Sequence, residues 1–343
     1  MSEQETYWSI FKLINEYIFL FVRIQKMLKE VLISCVLLSS FSLVGCNEDN
    51  AEVGENPSNP DPDQGKYEVS KYITFNGLVK HGEIENHVRI YSLTKGQGDY
   101  VTILPSLGRG VEDFTEEYHS TITTRLVKSG YQVVLIQPRG IGSSTGDLIP
   151  AHASMSGFAQ DIMDTLDKLG IKKLSFIGHA FGNRVARTIA TLYPNSVDKL
   201  VLMASGGDED LALDQRKCLL GSFDLNLPRQ ERLDAIQCAF FAQGNDPSIW
   251  YTGWYPKLAL AQINASQMTN GNFFKKAGGK EFLLLQASED FIAPPESNGL
   301  KLKEELGDQV IYVEIPHTGH ALSSEEPDLI SDYIINYFKD DHK

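Results

Sequence analysis

The stretch Leu174-Ser175-Phe176-Ile177-Gly178-His179-Ala180-Phe181-Gly182-Asn183-Arg184 constrains the fold more than any other part of this chain. An apolar run reads as a buried strand, two glycines bracket a sharp turn, and a helical pattern then continues to Tyr193, where Pro194 stops it. A Cβ at either glycine would clash, because so tight a turn packs against the neighbouring strand and helix. Strand-like and helical runs alternate on both sides of it. His87–Thr94 and Tyr100–Leu104 read as strands, and Asp113 to Lys128 as a helix. Tyr131–Gln137 is an apolar run suited to a central strand. Met155 to Leu169 is a helix closed by Gly170, and Leu200–Ala204 is the next strand. The pattern predicts an α/β fold with a mostly parallel central sheet and helices on both faces.

The turn has the form Gly-x-Ser-x-Gly, the nucleophile elbow, except that Ala180 stands where the serine would be. Two further pieces follow in a fixed order. Asp290 comes after the apolar run Phe282-Leu283-Leu284-Leu285-Gln286-Ala287 and just before Ala293-Pro294-Pro295. His320 lies in Ile315-Pro316-His317-Thr318-Gly319-His320-Ala321, beyond the strand-like Val310–Glu314. The order elbow, acid, histidine is that of the α/β-hydrolases, and the chain resembles that fold family over roughly residues 67 to 341.

The resemblance implies roles for particular residues. In an ordinary member, serine attacks a carbonyl, histidine takes its proton, and the acid holds the histidine's tautomer. Here Asp290 and His320 would be the acid and base, with Glu289 and His317 as their rivals. The backbone N–H groups of Phe181 and Leu107 would form the oxyanion hole, although Pro105-Ser106 replaces the His-Gly often seen in that loop. Ser106 either projects a hydroxyl into the site or caps the turn. Arg109 either pairs with a substrate carboxylate or phosphate or makes a surface ion pair with Glu112 or Asp113. His179 is expected to pack under the turn, and Pro138–Gly146 to buttress the site. The family places a cap after the sixth strand. Residues 208–280 break the alternation there and carry Phe240, Phe241, Trp250, Tyr251, Trp254 and Tyr255. Trp250 and Trp254 are candidates for contact with substrate, and packing the cap onto the body is the alternative.

The amino terminus carries a separate signal. A short basic start near Met27 leads into the apolar run from Val31 to Val44, and Leu43-Val44-Gly45-Cys46 resembles the bacterial lipobox, whose cysteine is acylated. The alternatives are an uncleaved anchor or a chance apolar run. Residues 1–46 are therefore read as a leader and lipoprotein signal peptide, with residues 1–26 an overlong start or an extended leader. Residues 47–66, rich in Pro, Asn, Asp, Gly and Glu, would form a flexible acidic tether. The domain follows from residue 67 to 343. Acidic residues after the lipid-bearing cysteine resemble surface-export signals of Bacteroidetes lipoproteins, so the expected location is the bacterial cell envelope, with the outer-membrane surface an option. Export permits a disulfide between Cys218 and Cys238; two free thiols are the alternative.

Lys+Arg 31 against Asp+Glu 45 gives a net charge of −14, which disfavours nucleic acid as a partner. The expected partners are a small-molecule substrate or ligand and, through lipid on Cys46, a membrane. No metal-ligand spacing and no phosphate loop is visible, so no metal and no cofactor is expected. A methyl group has no proton to give up and no lone pair, which excludes acyl-enzyme chemistry through Ala180. Losing a serine nucleophile costs about a million-fold in turnover. Three readings stay open: general-base chemistry by His320 and Asp290, a pseudoenzyme binding a small apolar ligand or partner, or a serine hydrolase in which Ala180 replaces a native serine.

Overall fold

Alternate residues of the central strands point into opposite cores in the computed structural model, which describes residues 68–76, 87–115, 120–206 and 211–340. Val133 and Leu135 enter one core and Val134 and Ile136 the other; Val201 and Met203 divide from Leu200 and Leu202 in the same way. This two-residue period, apolar on both faces, is what a strand covered by helices on each side requires.

The strands are β1 (Glu68–Asn76), β2 (His87–Gly96), β3 (Asp99–Leu104), β4 (Tyr131–Ile136), β5 (Leu174–His179), β6 (Val197–Met203), β7 (Phe282–Ala287) and β8 (Val310–Ile315). They form an eight-stranded sheet in the order β1-β2-β4-β3-β5-β6-β7-β8. The β1–β2 and β2–β4 pairings are antiparallel and the others parallel. Helices α2 (Met155–Lys168) and α3 (Phe181–Leu192) bury Phe158, Ile162, Val185 and Ile189 on one face. Helix α1 (Ile122–Lys128) and a carboxy-terminal helix α10 (Pro327–Lys339) bury Leu126, Ile330 and Ile334 on the other. The strand order reverses about β3, so the carboxyl ends of β3 and β5 flank the crevice where such sheets place their sites.

Between β6 and β7 the chain leaves the sheet as helices α4 (Leu213–Phe223), α5 (Arg229–Phe240), α6 (Pro256–Met268) and the short α7 (Asn272–Lys275). These helices occupy the insertion expected as a cap; α4 and α5 share a third core containing Phe240, Phe241, Trp250, Trp254 and Ala321, while α6 sends Leu258, Ala261 and Ala265 into the core lined by α2 and α3. Cys218 on α4 and Cys238 on α5 are joined by a disulfide. Closing a loop with a sequence separation of 20 removes unfolded-chain entropy equivalent to about 3 kcal/mol. Two short helices remain, α8 (Gly299–Leu306) after β7 and α9 (Leu322–Glu325) after β8.

Two local expectations are corrected. The helix expected from Asp113 starts at Ile122, and Val111–Phe114 is a 3-10 turn instead, because the Asp113 carboxylate is drawn inward to Arg109. Glu68–Asn76, read as part of the domain without an assigned element, is the edge strand β1. Cys46, the leader and the tether lie outside the described residues. Among the described residues, no helix is long and apolar enough to cross a membrane.

Candidate active site

The turn between β5 and α3 holds Ala180 at φ 50° and ψ −108°, a backbone conformation that L-residues rarely adopt. Three backbone constraints enforce it. The Ala180 N–H donates to Met203 O at 2.9 Å, extending the β5–β6 ladder past the end of β5. A Cβ on Gly178 would lie 2.5 Å from the Cα of Asn183, and one on Gly182 would lie 2.2 Å from the carbonyl oxygen of Leu104. Strain of this kind costs of order 1–3 kcal/mol and persists only where the surroundings impose it. Next along the chain, Phe181 opens α3 with its side chain buried against Phe158. As the first helical residue it has an N–H with no acceptor inside the helix.

Asp290 and His320 meet at the carboxyl end of the sheet. His320 Nδ1 lies 3.0 and 2.9 Å from the two carboxylate oxygens of Asp290. A carboxylate only accepts, so Nδ1 carries the proton and Nε2 is the basic nitrogen. Asp290 is itself held: its Oδ1 accepts from Ala293 N at 2.7 Å and its Oδ2 from Gln286 Nε2 at 3.3 Å. The rivals are excluded by position. His317 is 92% exposed and pairs loosely with Glu289, itself 45% exposed. His320 and Asp290 are buried.

His179 ties this pair to the elbow. Its Nε2–H donates to the backbone carbonyl of His320 at 2.8 Å, one residue before Ala180 in the chain. Complete burial, reinforced by the nearby His320, pushes its pKa down to about 3, so the ring is neutral and the donor tautomer is fixed. His179 thus does more than pack beneath the turn, because it holds the main chain that carries His320.

The loop after β3 passes directly over the elbow, as the contact of Gly182 with Leu104 O shows. Within it, Gly108 N donates to Gln262 Oε1 at 2.7 Å and Gly108 O accepts from Tyr255 N at 2.9 Å. These bonds to α6 and its amino-terminal flank fix the peptide beside Leu107, the expected second oxyanion donor.

Arg109, Trp250 and Trp254, the candidates for contact with substrate, are buried and packed on one another. The Arg109 guanidinium is fully buried, lies 4.6 Å from the ring centroid of each tryptophan, and donates to Asp113 from Nε and Nη2 and to Thr252 O from Nη1. Trp250 Nε1 donates to Ser324 Oγ at 2.9 Å, and Trp254 Nε1 donates to Trp250 O. The three side chains clamp the cap to the β3 loop. The ion pair with Asp113 exists, but inside the protein and not on its surface.

With this geometry in view, the chain can be compared with known proteins. Residues 115–217 match the alpha/beta hydrolase fold family. The solved bromoperoxidase of Bacillus anthracis superposes with a TM-score of 0.61 at 22% identity, covering 75% of this chain and 97% of that one. The chain has the α/β-hydrolase fold.

Two relatives give the family context. A 2-hydroxy-6-oxononadienedioate/2-hydroxy-6-oxononatrienedioate hydrolase of Pseudomonas sp. is 32% identical over 40% of this chain and 45% of its own length. This chain therefore spans under half of that relative. A putative carbamate hydrolase, RutD, of Agrobacterium fabrum is 24% identical over 60% of this chain and 82% of its own. In this α/β-hydrolase fold the elbow, the Asp290–His320 pair and the β3 loop converge, and residue 180 at the turn carries a methyl group.

Sequence reasoning missed Gln262 and Glu325. Glu325 is half-sunk beneath the His320 loop and accepts from Gly319 N at 2.8 Å. Its neighbour Glu326 has the same chemistry and sits in the same polar stretch, so no pattern in the chain separates them.

Proposed function

We propose that this α/β-hydrolase hydrolyses a small ester, amide or aromatic substrate by general-base chemistry, with His320 as base and Asp290 as its orienting acid. The observation carrying this reading is the commitment of His320 Nδ1 to both Asp290 oxygens, which leaves Nε2 as the proton acceptor. Nε2 takes a proton from water as the water oxygen bonds to the substrate carbonyl carbon. The carbonyl oxygen becomes an oxyanion facing the N–H groups of Phe181 and Leu107. Its collapse breaks the bond to the leaving group, which takes the proton back from the imidazolium. A positioned general base contributes about 10²–10⁴-fold and each oxyanion donor about 10²–10³-fold. Turnover should therefore be slow beside that of a serine enzyme but well above water. That both relatives are named as hydrolases supports the reaction class.

The decisive comparison is native protein against His320→Ala across a panel of small esters and amides. We expect His320→Ala to lose at least about 10²-fold in kcat/KM. Equal rates in the two proteins on every substrate would remove the base from the mechanism and leave a ligand-binding role.

We also propose that the protein is an envelope lipoprotein acylated at Cys46, held by the tether of residues 47–66. Support comes from the lipobox-like Leu43-Val44-Gly45-Cys46 and from the Cys218–Cys238 disulfide, since such bonds persist outside the reducing cytosol. The mass of the mature chain isolated from membranes should show lipid on an amino-terminal Cys46. A chain retaining residues 1–45 without lipid would contradict this.

A further inference from the structure

We infer that Glu325 is the positioning residue through which the cap sets the orientation of His320. This rests on the reading of His320 as the base, but the geometry stands apart from any activity. Glu325 ends α9, the single helical turn that follows His320. Its Oε2 accepts from Gly319 N at 2.8 Å, the peptide immediately before the base. Its Oε1 accepts from Ala242 N at 2.8 Å and Asn245 Nδ2 at 2.6 Å, both in the segment that leaves cap helix α5. One carboxylate therefore joins the cap to the base, with one oxygen committed to each side.

The surrounding contacts show how little play remains. Ala321 N donates to Phe240 O at 2.8 Å, so the peptide after His320 is also held by the cap. Asn245 Nδ2 reaches His317 O at 3.3 Å. A Cβ on Gly319 would lie 2.6 Å from Ala242 N and from Phe240 O, so the His320 loop and the cap meet backbone to backbone. With His179 gripping the carbonyl of His320 from below, the base is held from the elbow on one side and from the cap on the other.

The chemistry explains why the residue is a glutamate. Only a carboxylate offers acceptors on both oxygens. A glutamine would turn its NH₂ toward either Gly319 N or the cap donors, and that arm would become repulsive. An aspartate is one methylene shorter and could not span both arms. Burial raises the Glu325 pKa, yet the donors converging on it favour the ionised form. A purely structural tie between cap and body would not need the arm to Gly319.

The test is NMR on the full chain with its disulfide intact, observing the low-field Nδ1–H proton of His320 and assigning it by its loss in His320→Ala. We expect Glu325→Gln to shift this resonance and to speed its exchange with water at least about tenfold. Asn245→Ala, which removes one cap donor and leaves the carboxylate in place, should produce a smaller change in the same direction. An unchanged resonance in folded Glu325→Gln, even with a lower melting temperature, would reduce Glu325 to a structural tie and overturn the inference. Should Glu325→Gln fail to fold, Asn245→Ala decides: a shifted and faster-exchanging proton supports the coupling, and an unaltered one refutes it. Because this readout needs no turnover, an inactive native protein would defeat the general-base reading while leaving the coupling intact.

Discussion

Ala180→Ser should convert the protein into a covalent hydrolase, raising turnover of a small activated ester by about 10²-fold or more. Removing the serine from a complete machine costs about 10⁶-fold, and here the strained turn and the Asp290–His320 pair are in place. The turn already holds residue 180 at φ 50°, the strained conformation that a nucleophile there would need, so serine adds no backbone cost beyond alanine's. His320 is oriented by Asp290, and Phe181 presents its N–H at the start of α3. The gain should fall short of 10⁶ because Pro105-Ser106 replaces the His-Gly often found in the oxyanion loop, which alters the hole's shape. Two measurements check the result: a pre-steady-state burst and the mass of a stable adduct with an organophosphonate at residue 180. Adding His320→Ala should drop the rate below that of native protein, to near that of His320→Ala alone, since neither the serine nor water then has its base. Absence of both burst and adduct in a folded Ala180→Ser would mean that the residues are neighbours without being a working constellation.

Gly182→Ala should be among the most damaging single substitutions, costing on the order of 3 kcal/mol or more and lowering the melting temperature by several degrees. The added Cβ would sit 2.2 Å from Leu104 O and 2.8 Å from Pro105 O, which are main-chain atoms of β3 and the oxyanion loop and cannot rotate away. Either α3 moves off the sheet or the loop carrying Leu107 is displaced, so activity should fall along with stability. Gly130→Ala is the control. Its φ of 91° disfavours alanine, but nothing lies within 4 Å of the added carbon, so only a backbone cost of about 1–2 kcal/mol is expected. Thermal unfolding of the two variants side by side separates steric from conformational effects. Equal midpoints would show that the elbow is more pliable than the close contact implies.

Much of the site could be read from the chain because its parts are local. A strand, a glycine-bracketed turn and a helix are adjacent in sequence, and the apolar runs before Asp290 and His320 mark strand ends. Where a local pattern was ambiguous, tertiary contact decided. Asp113 looked like part of an exposed helix and is instead the buried partner of Arg109. Arg109, Trp250 and Trp254 have the chemistry of a binding pocket and serve as a clamp, because a flat guanidinium fits between two indoles once the cap lies on the β3 loop. His317 and His320 are chemically equivalent on paper, and only the path of the chain turns one out to solvent and the other toward Asp290.

The sequence alone determined the alternating architecture, the elbow and the order of its acid and histidine, since two-residue and helical periodicities and paired glycines are properties of neighbouring residues. It also determined that residue 180 cannot attack, because a methyl group has no lone pair. Only the tertiary structure decided which acid and which histidine meet, that His179 and Glu325 hold the His320 loop from opposite sides, and that Trp250 and Trp254 are internal. Those outcomes depend on contacts between segments far apart in the chain, whose distances and burial are set by packing and leave no local trace.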